Sequence, residues 1–209
     1  MHIDVYSDIA CPWCYIGERR LEAAMRQRPD VEIVRHWRPF QLQPGLPMVG
    51  IPWREFAPRK FGSAERAAQM FGQVASAGAP DGIDFRFDQV ATAANTRDAH
   101  RLILLAAEHG REWPMAEVLF KAYFTDGCDL NDLETLVELA SLAGLAEADT
   151  RQMLASGSYA SDVDGSQQTA AQLGISGVPF FVIDERYGLS GAQPVEVFLQ
   201  AIDQVSAEQ

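Results

Sequence analysis

A chain of 209 residues, 47% hydrophobic and 22% charged, can build one domain with a large core or one domain carrying a substantial insertion. None of its apolar runs approaches the ~20 residues of a membrane span. A formal net charge of −12 sets its surface against the nucleic-acid backbone, so neither membrane nor nucleic acid is an expected partner.

The opening Met1-His2-Ile3-Asp4-Val5-Tyr6 has neither the cationic nor the apolar region of a secretory signal, which predicts a cytoplasmic protein. Stable structural disulfides are rare in a reducing compartment, and three cysteines make an odd set for a disulfide framework. Cys11, Cys14 and Cys128 are therefore candidates for chemistry before they are candidates for staples.

In chain order, His2–Tyr6 alternates and reads as a strand. Pro12 suits a first helical position, and Tyr15, Ile16, Leu21 and Met25 recur at helical spacing until Pro29-Asp30. Val31 to Trp37 is rich in β-branched and apolar residues and predicts a second strand, completing a βαβ unit. From Pro52 to Ser156 the pattern turns helical, with segments near 63–77, 95–109, 114–124, 131–143 and 146–155. Asn95 is placed as an N-cap, Asn131 and Glu134 as a capping box, and Gly78 to Gly82 as a loop. Ser158 to Leu173 predicts a helix closed by Gly174. Pro179 to Asp184 and Tyr187 to Ser190 read as strands about a turn at Glu185-Arg186, and Pro194 opens a last helix. The expected architecture is an α/β domain, 1–51 and 157–209, interrupted by an all-helical insertion, 52–156.

Cys11-Pro12-Trp13-Cys14 carries the chemistry. With Pro12 at the first helical position, Cys11 becomes the N-cap and Cys14 the third helical residue, so the two sulfurs are neighbours. The amino end of a helix offers unpaired N–H groups and a positive dipole, both of which favour thiolate. Cys11 is thus expected to be the exposed attacking thiolate and Cys14 the resolving thiol that closes a disulfide. Zinc is the competing use of this spacing, but it needs two further ligands, and neither a second pair nor a His-x₃₋₅-His run exists, so no metal is expected.

At these residues the chain resembles the thioredoxin fold, and within it the DsbA-like branch with a helical insertion, closest to FrnE-like proteins. The likeness rests on Ser7 to Gly17, Trp37 to Leu42, Asn95 to Leu102, Gly177-Val178-Pro179-Phe180-Phe181 and Ser190-Gly191-Ala192-Gln193-Pro194. The resemblance implies a thiol–disulfide oxidoreductase or isomerase acting on protein or small-molecule thiols and disulfides. It makes Pro179 a cis-proline facing the cysteines, with the Val178 backbone left to pair an extended substrate. Pro12 and Trp13 would shape access.

Kappa-class glutathione transferases and 2-hydroxychromene-2-carboxylate isomerases share this fold and are the alternative reading. They hold the glutathione sulfur with a serine or similar residue where this chain has Cys11. Glutathione is accordingly expected as a thiol partner and not as a tightly bound cofactor, with Gly191 and Ala192 near a helix amino end to receive a carboxylate. A redox-regulated chaperone or metal carrier is a third reading. The sequence leaves the oligomeric state and the direction of electron flow open. Asp8 is expected to cap its loop, His100 to be a buried histidine bonded to a neighbour, and Trp37, Trp53 and Trp113 to be core or interface aromatics. Cys128 is expected to be a passive thiol.

Overall fold

A computed structural model describes residues 1–208. Four strands, β1 (His2–Ser7), β2 (Val34–Pro39), β5 (Phe180–Ile183) and β6 (Tyr187–Ser190), form one sheet in the order β2-β1-β5-β6. β2 runs parallel to β1, while β5 runs antiparallel to it with Tyr6 opposite Phe180. Alternation along β1 sends Ile3 and Val5 to one face, where α1 (Pro12–Arg26) and α9 (Val195–Ser206) cover them with Leu21, Phe198 and Ile202. Tyr6 faces the other way, into a small cluster with Phe40, Ala170 and Ile175 under α8 (Ala160–Gln172).

Between β2 and α8 the chain is mainly helical: α2 (Trp53–Phe61), α3 (Ala64–Gly78), a short 3₁₀ turn over Ala79–Asp81, α4 (Arg97–Glu108), α5 (Glu112–Phe124), α6 (Leu133–Leu142) and α7 (Glu147–Ala155). Their shared core continues into the sheet domain through Ile9, Tyr15, Ile16 and Trp37, so the insertion is packed onto the first βαβ unit. Arg101, only 5% exposed, ties α4 to the exit from α7 by donating to the carbonyls of Met153, Ser156 and Ser158. This is the mixed α/β thioredoxin-type architecture with a helical insertion that the pattern predicts.

Local details differ from expectation for identifiable reasons. The second strand begins at Val34 and not at Val31, because the Val31 N–H is turned back to the Arg28 carbonyl at 3.1 Å in the turn that follows α1. The predicted loop at Gly78 to Gly82 contains the 3₁₀ turn. Helix α2 lies before the first of the named helical segments; Pro52 is its N-cap and Pro58 is accommodated inside. The two-residue strands β3 (Ile51–Pro52) and β4 (Thr92–Ala93) pair with each other, too short for any period to announce.

Two capping assignments also move. Asn95 precedes the N-cap Thr96, yet its Oδ1 accepts the Arg97 N–H. Asn131 does not cap: Asp132 accepts the Thr135 N–H in its place, while Asn131 Oδ1 accepts the N–H of Asn95. Glu134 pairs with Arg151, so the expected capping box does not form.

Phe181 is completely buried on β5, edge to face with Phe198 at 4.9 Å between ring centroids. Phe181→Ala is expected to lower the unfolding free energy by about 3–5 kcal/mol in urea denaturation. A loss under about 1 kcal/mol would show that this core can collapse around the deletion.

Candidate active site

The β1–α1 loop is folded around Asp8. Its side chain, 1% exposed, accepts the N–H groups of Ala10 (3.2 Å) and Leu42 (2.7 Å), and its backbone carbonyl accepts the Cys11 N–H at 3.0 Å. Cys11 then has the extended backbone of an N-cap (φ −102°, ψ 108°), and Pro12 occupies the first helical position, where its missing N–H costs nothing. The Cys11 carbonyl starts the helix by accepting from Cys14 at 3.0 Å.

The sulfur of Cys11 departs from expectation. It makes no side-chain capping bond to the helix; the thiol donates to the Val178 carbonyl at 3.5 Å, across 167 positions of sequence. Cys11 is also buried, 4% exposed, and not the open thiol its N-cap position suggested. The reason is tertiary: the Val178–Pro179 segment lies across the start of the helix. Trp13, next in the chain, is 41% exposed at the rim, and Pro12 is half-buried.

Cys14 lies one turn inside at 1% exposure, its thiol close enough to Cys11 for the two to interact. Burial raises the Cys14 thiol well above its ordinary range, and hydrogen bonding and charge repulsion from Cys11 raise it further. The Ser7 side chain and the Asp8 backbone N–H pull partly the other way. A thiol held protonated beside its neighbour is suited to wait until a bond to that neighbour can form.

The Val178–Pro179 peptide bond is cis. β5 begins just after it, so the antiparallel register that sets Phe180 against Tyr6 carries Pro179 to the same sheet end as Cys11. The Pro179 carbonyl accepts the Gly191 N–H at 2.8 Å, which joins this segment to the end of β6. That bond consumes the Gly191 amide, and the last helix starts only at Val195, so the carboxylate-receiving role expected of Gly191 lacks its amide. Ala192 is bound through its carbonyl, which accepts from the Arg20 guanidinium at 2.9 Å.

Gly17, the last residue of the first motif stretch, and Arg20 beyond it carry contacts that the motifs did not announce. A Cβ on Gly17 would stand 3.0 Å from Pro179 Cγ, 3.2 Å from Phe181 Cζ and 3.5 Å from Ala192 Cα, so its absence lets α1 approach. Arg20, one turn on, pairs with Asp81 at 2.8 Å and donates to Ala77, linking α1 to the insertion and to Ala192. The available signal was the spacing of Gly17 and Arg20 on one helical face.

Behind the loop, His100 is fully buried on α4. Its Nδ1 accepts the Trp37 indole N–H at 3.1 Å, and its Nε2 lies 3.4 Å from Asp8 Oδ1. Trp37 is a core residue, while Trp113 packs beneath the Arg35 guanidinium at 4.2 Å and Trp53 joins the aromatic cluster of α2 and α3. Cys128 is half-buried in the α5–α6 loop, its N–H bonded to Ala122, and burial raises its thiol.

A cleft of about 290 Å³ lies beside Val178 and Pro179, lined also by Gly177, Ser190 and Gly191. A larger one, about 780 Å³, lies between the sheet and α8 near Tyr6, Arg38 and Ser166 and includes none of the predicted site residues. Among the described residues no three His, Cys, Asp or Glu side chains gather as metal ligands would, and no helix is long and apolar enough to cross a membrane.

Two outcomes follow from this geometry. In Cys11→Ser, alkylation of Cys14 is expected to have a pH midpoint above the ~8.5 of a free cysteine, since burial is the largest cause of its shift. A midpoint at or below that value would contradict the burial argument. Gly17→Ala is expected to cost about 1–3 kcal/mol by overpacking against Pro179 and Phe181. An unchanged thermal midpoint would mean that the contact yields freely.

The DSBA-like thioredoxin domain model matches residues 2–203 of the chain. A probable DsbA oxidoreductase from Streptomyces coelicolor is similar in structure, with a TM-score of 0.90 and 39% identity over 100% of this chain and 91% of that one. The uncharacterized protein YwbO of Bacillus subtilis (strain 168) is 28% identical, covering 97% of this chain and 96% of its own. The fold is shared with the cytosolic disulfide reductase DsbM from Pseudomonas aeruginosa, solved with GSH, at a TM-score of 0.67, 20% identity and coverage of 99% and 100%. A match running almost from end to end, on a chain whose sheet and paired thiols have this arrangement, makes the protein a member of the DSBA-like thioredoxin domain family.

Proposed function

We propose that this protein is a thiol–disulfide oxidoreductase in which Cys11 attacks and Cys14 resolves. The observation that carries the reading is the pair of neighbouring thiols at the amino end of α1, with the Cys11 sulfur 3.5 Å from the Val178 carbonyl. In the forward sense, the Cys11 thiolate attacks one sulfur of a substrate disulfide, the S–S bond breaks, and the departing sulfur takes up a proton as a thiol. Cys14 then gives up its proton and attacks the Cys11 sulfur. The mixed disulfide breaks, a second substrate thiol leaves, and the protein holds the Cys11–Cys14 disulfide. Substrate gains two electrons and two protons; the reverse sequence oxidises it.

Val178 and Pro179 border the site where an extended thiol substrate would lie, in the cleft they share with Gly177 and Ser190. Trp13, exposed at the start of α1, and Pro12 before it shape the approach. Glutathione is a suitable small thiol partner, a view supported by the GSH in the DsbM structure. The division into 1–51 with 157–209 and 52–156 belongs to the same reading, as does a cytoplasmic location, where free thiols persist.

The test uses single substitutions with a fluorescent mixed-disulfide substrate. Cys11→Ser is expected to lose turnover by at least about 100-fold, while Cys14→Ser is expected to attack once and accumulate a mixed disulfide visible by mass spectrometry. Full turnover in Cys11→Ser would overturn the assignment.

A further inference from the structure

The hairpin of α2 and α3 gathers positive charge on an acidic protein. Among the described residues, Arg54, Arg59, Lys60, Arg66 and Arg111 are the lysines and arginines that make no ion pair, and all but Arg111 lie on this hairpin, each exposed. The chain holds 29 aspartates and glutamates, so these cations do not stand alone for want of partners. Of the carboxylates on the hairpin, Glu65 is engaged by the Ser63 hydroxyl at the start of α3, and Glu55 joins no ion pair. A single exposed cation means little. Four on one hairpin of a chain with net charge −12 make a local field of opposite sign.

An apolar cleft of about 510 Å³ adjoins these cations, lined by Trp53, Ala57, Pro58, Ala67, Ala68 and Phe71. Trp53 and Phe71 form its aromatic wall, 5.4 Å between ring centroids, and the alanines opposite leave room for a large side chain. Its charged side chains are Arg54 and Asp88, and Asp88 is paired with Arg86, so Arg54 is the charge left for a ligand. Arg59 and Lys60 follow the lining residue Pro58, and Arg66 precedes the lining residue Ala67. Arg54 and Lys60 stand about 9 Å apart along α2, and Arg66 is on another helix, so one carboxylate cannot meet them all. Several carboxylates carried on one chain can. A membrane or a nucleic acid presents extended negative charge that the remaining acidic surface repels, whereas a short segment engages the hairpin alone.

We propose that the α2–α3 hairpin is a docking surface for an acidic segment of a partner polypeptide, which sets a large apolar side chain in the cleft and its carboxylates against Arg54, Arg59, Lys60 and Arg66. The apolar anchor supplies affinity and the cations select the sign of the partner. Phe85, which also lines the cleft, meets Tyr15 of α1 edge to face at 6.0 Å, so the docking surface adjoins the helix that carries the thiols. The inference does not rest on the disulfide chemistry of that helix.

The experiment is fluorescence anisotropy of the full chain with three labelled, cysteine-free peptides of equal length. They share the same leucines and phenylalanines and carry glutamate, glutamine or lysine between them. The glutamate peptide is expected to bind at least about tenfold more tightly than the glutamine peptide, with the lysine peptide weakest, and to weaken about tenfold between 0.05 and 0.5 M salt. Reversing Arg54, Arg59 and Lys60 together to glutamate is expected to weaken it at least about tenfold, and Ala68→Tyr, which fills the cleft and keeps the charges, by a similar factor. No binding of the glutamate peptide, or equal binding of all three, would overturn the inference. So would folded variants that bind within twofold of wild type. If circular dichroism shows that the variants do not fold, the ranking of the peptides and the salt dependence of the wild-type protein decide. Sedimentation with anionic phospholipid vesicles by a protein that ignores the glutamate peptide would give the hairpin to a lipid surface and overturn the inference. A wild-type dimer that charge reversal turns into a monomer would give it to a second copy of the chain, with the same consequence. The doubly substituted Cys11→Ser, Cys14→Ser protein is expected to bind the glutamate peptide as wild type does. Loss of the redox reading therefore leaves this inference standing, and loss of peptide binding leaves the redox reading untouched.

Discussion

The antiparallel pairing of β5 with β1 is the constraint on which the site depends. β1 delivers the loop that holds Cys11, and β5 starts with the segment that lies over it. Because Tyr6 stands opposite Phe180, the residue before β5 must lie at the end of β1 from which the cysteine loop departs. A slip of one residue would turn Phe181 away from Phe198 and present the alternate side chains to that core. Burial of Phe181 and Ile183 on the face that also holds Ile3 and Val5 thus secures the register, and the register places Pro179.

Close approach follows from that placement. Helix α1 packs so near the Pro179 segment that a Cβ at position 17 would press on Pro179 and Phe181, and Arg20, one turn on, draws together Ala77, Asp81 and Ala192. The last turn of β6 is fastened by the bond from Gly191 to Pro179. Helix, cis-proline segment and β6 end therefore form one connected unit around the thiols. The cost of this closeness is accessibility: both cysteines are buried, and the chemistry proposed for them takes place in an interior where desolvation acts on every ionisation.

The helical insertion contributes to that interior as much as the sheet does. His100 comes from α4 and meets Asp8 from the β1–α1 loop, while Trp37 from β2 sets the orientation of the ring. Asn95, at the entrance to α4, holds the segment after β2 by accepting from Gln41 and donating to Leu46. Leu42 of that segment returns its N–H to Asp8. The Trp37–His100, Gln41–Asn95 and Asn95–Leu46 bonds join the insertion to the sheet domain, while the Leu42–Asp8 bond fastens the segment after β2 to the cysteine loop.

Much of this was legible in the residues. The order of strands and helices, the helix beginning at Pro12, the N-cap place of Cys11 and the inward place of Cys14 all follow from local spacing, because period and proline chemistry act over a few residues. The burial of His100 on an apolar helix face was legible for the same reason. What the sequence could not decide depends on which distant groups meet. The Val178 carbonyl takes the Cys11 thiol and buries it, a contact set by strand register and not by the motif. The Gly191 amide is spent on Pro179, and Asn131 turns from its own helix to Asn95, because long-range partners compete with local ones and here they win. Helix α2 runs through Pro58, and its Trp53 packs with Phe56 and with Phe71 of α3, contacts that outweigh the weak local preference. Local order was written in the chain; the environment of the thiols came from tertiary contacts, since burial and charge belong to neighbours that only folding assembles.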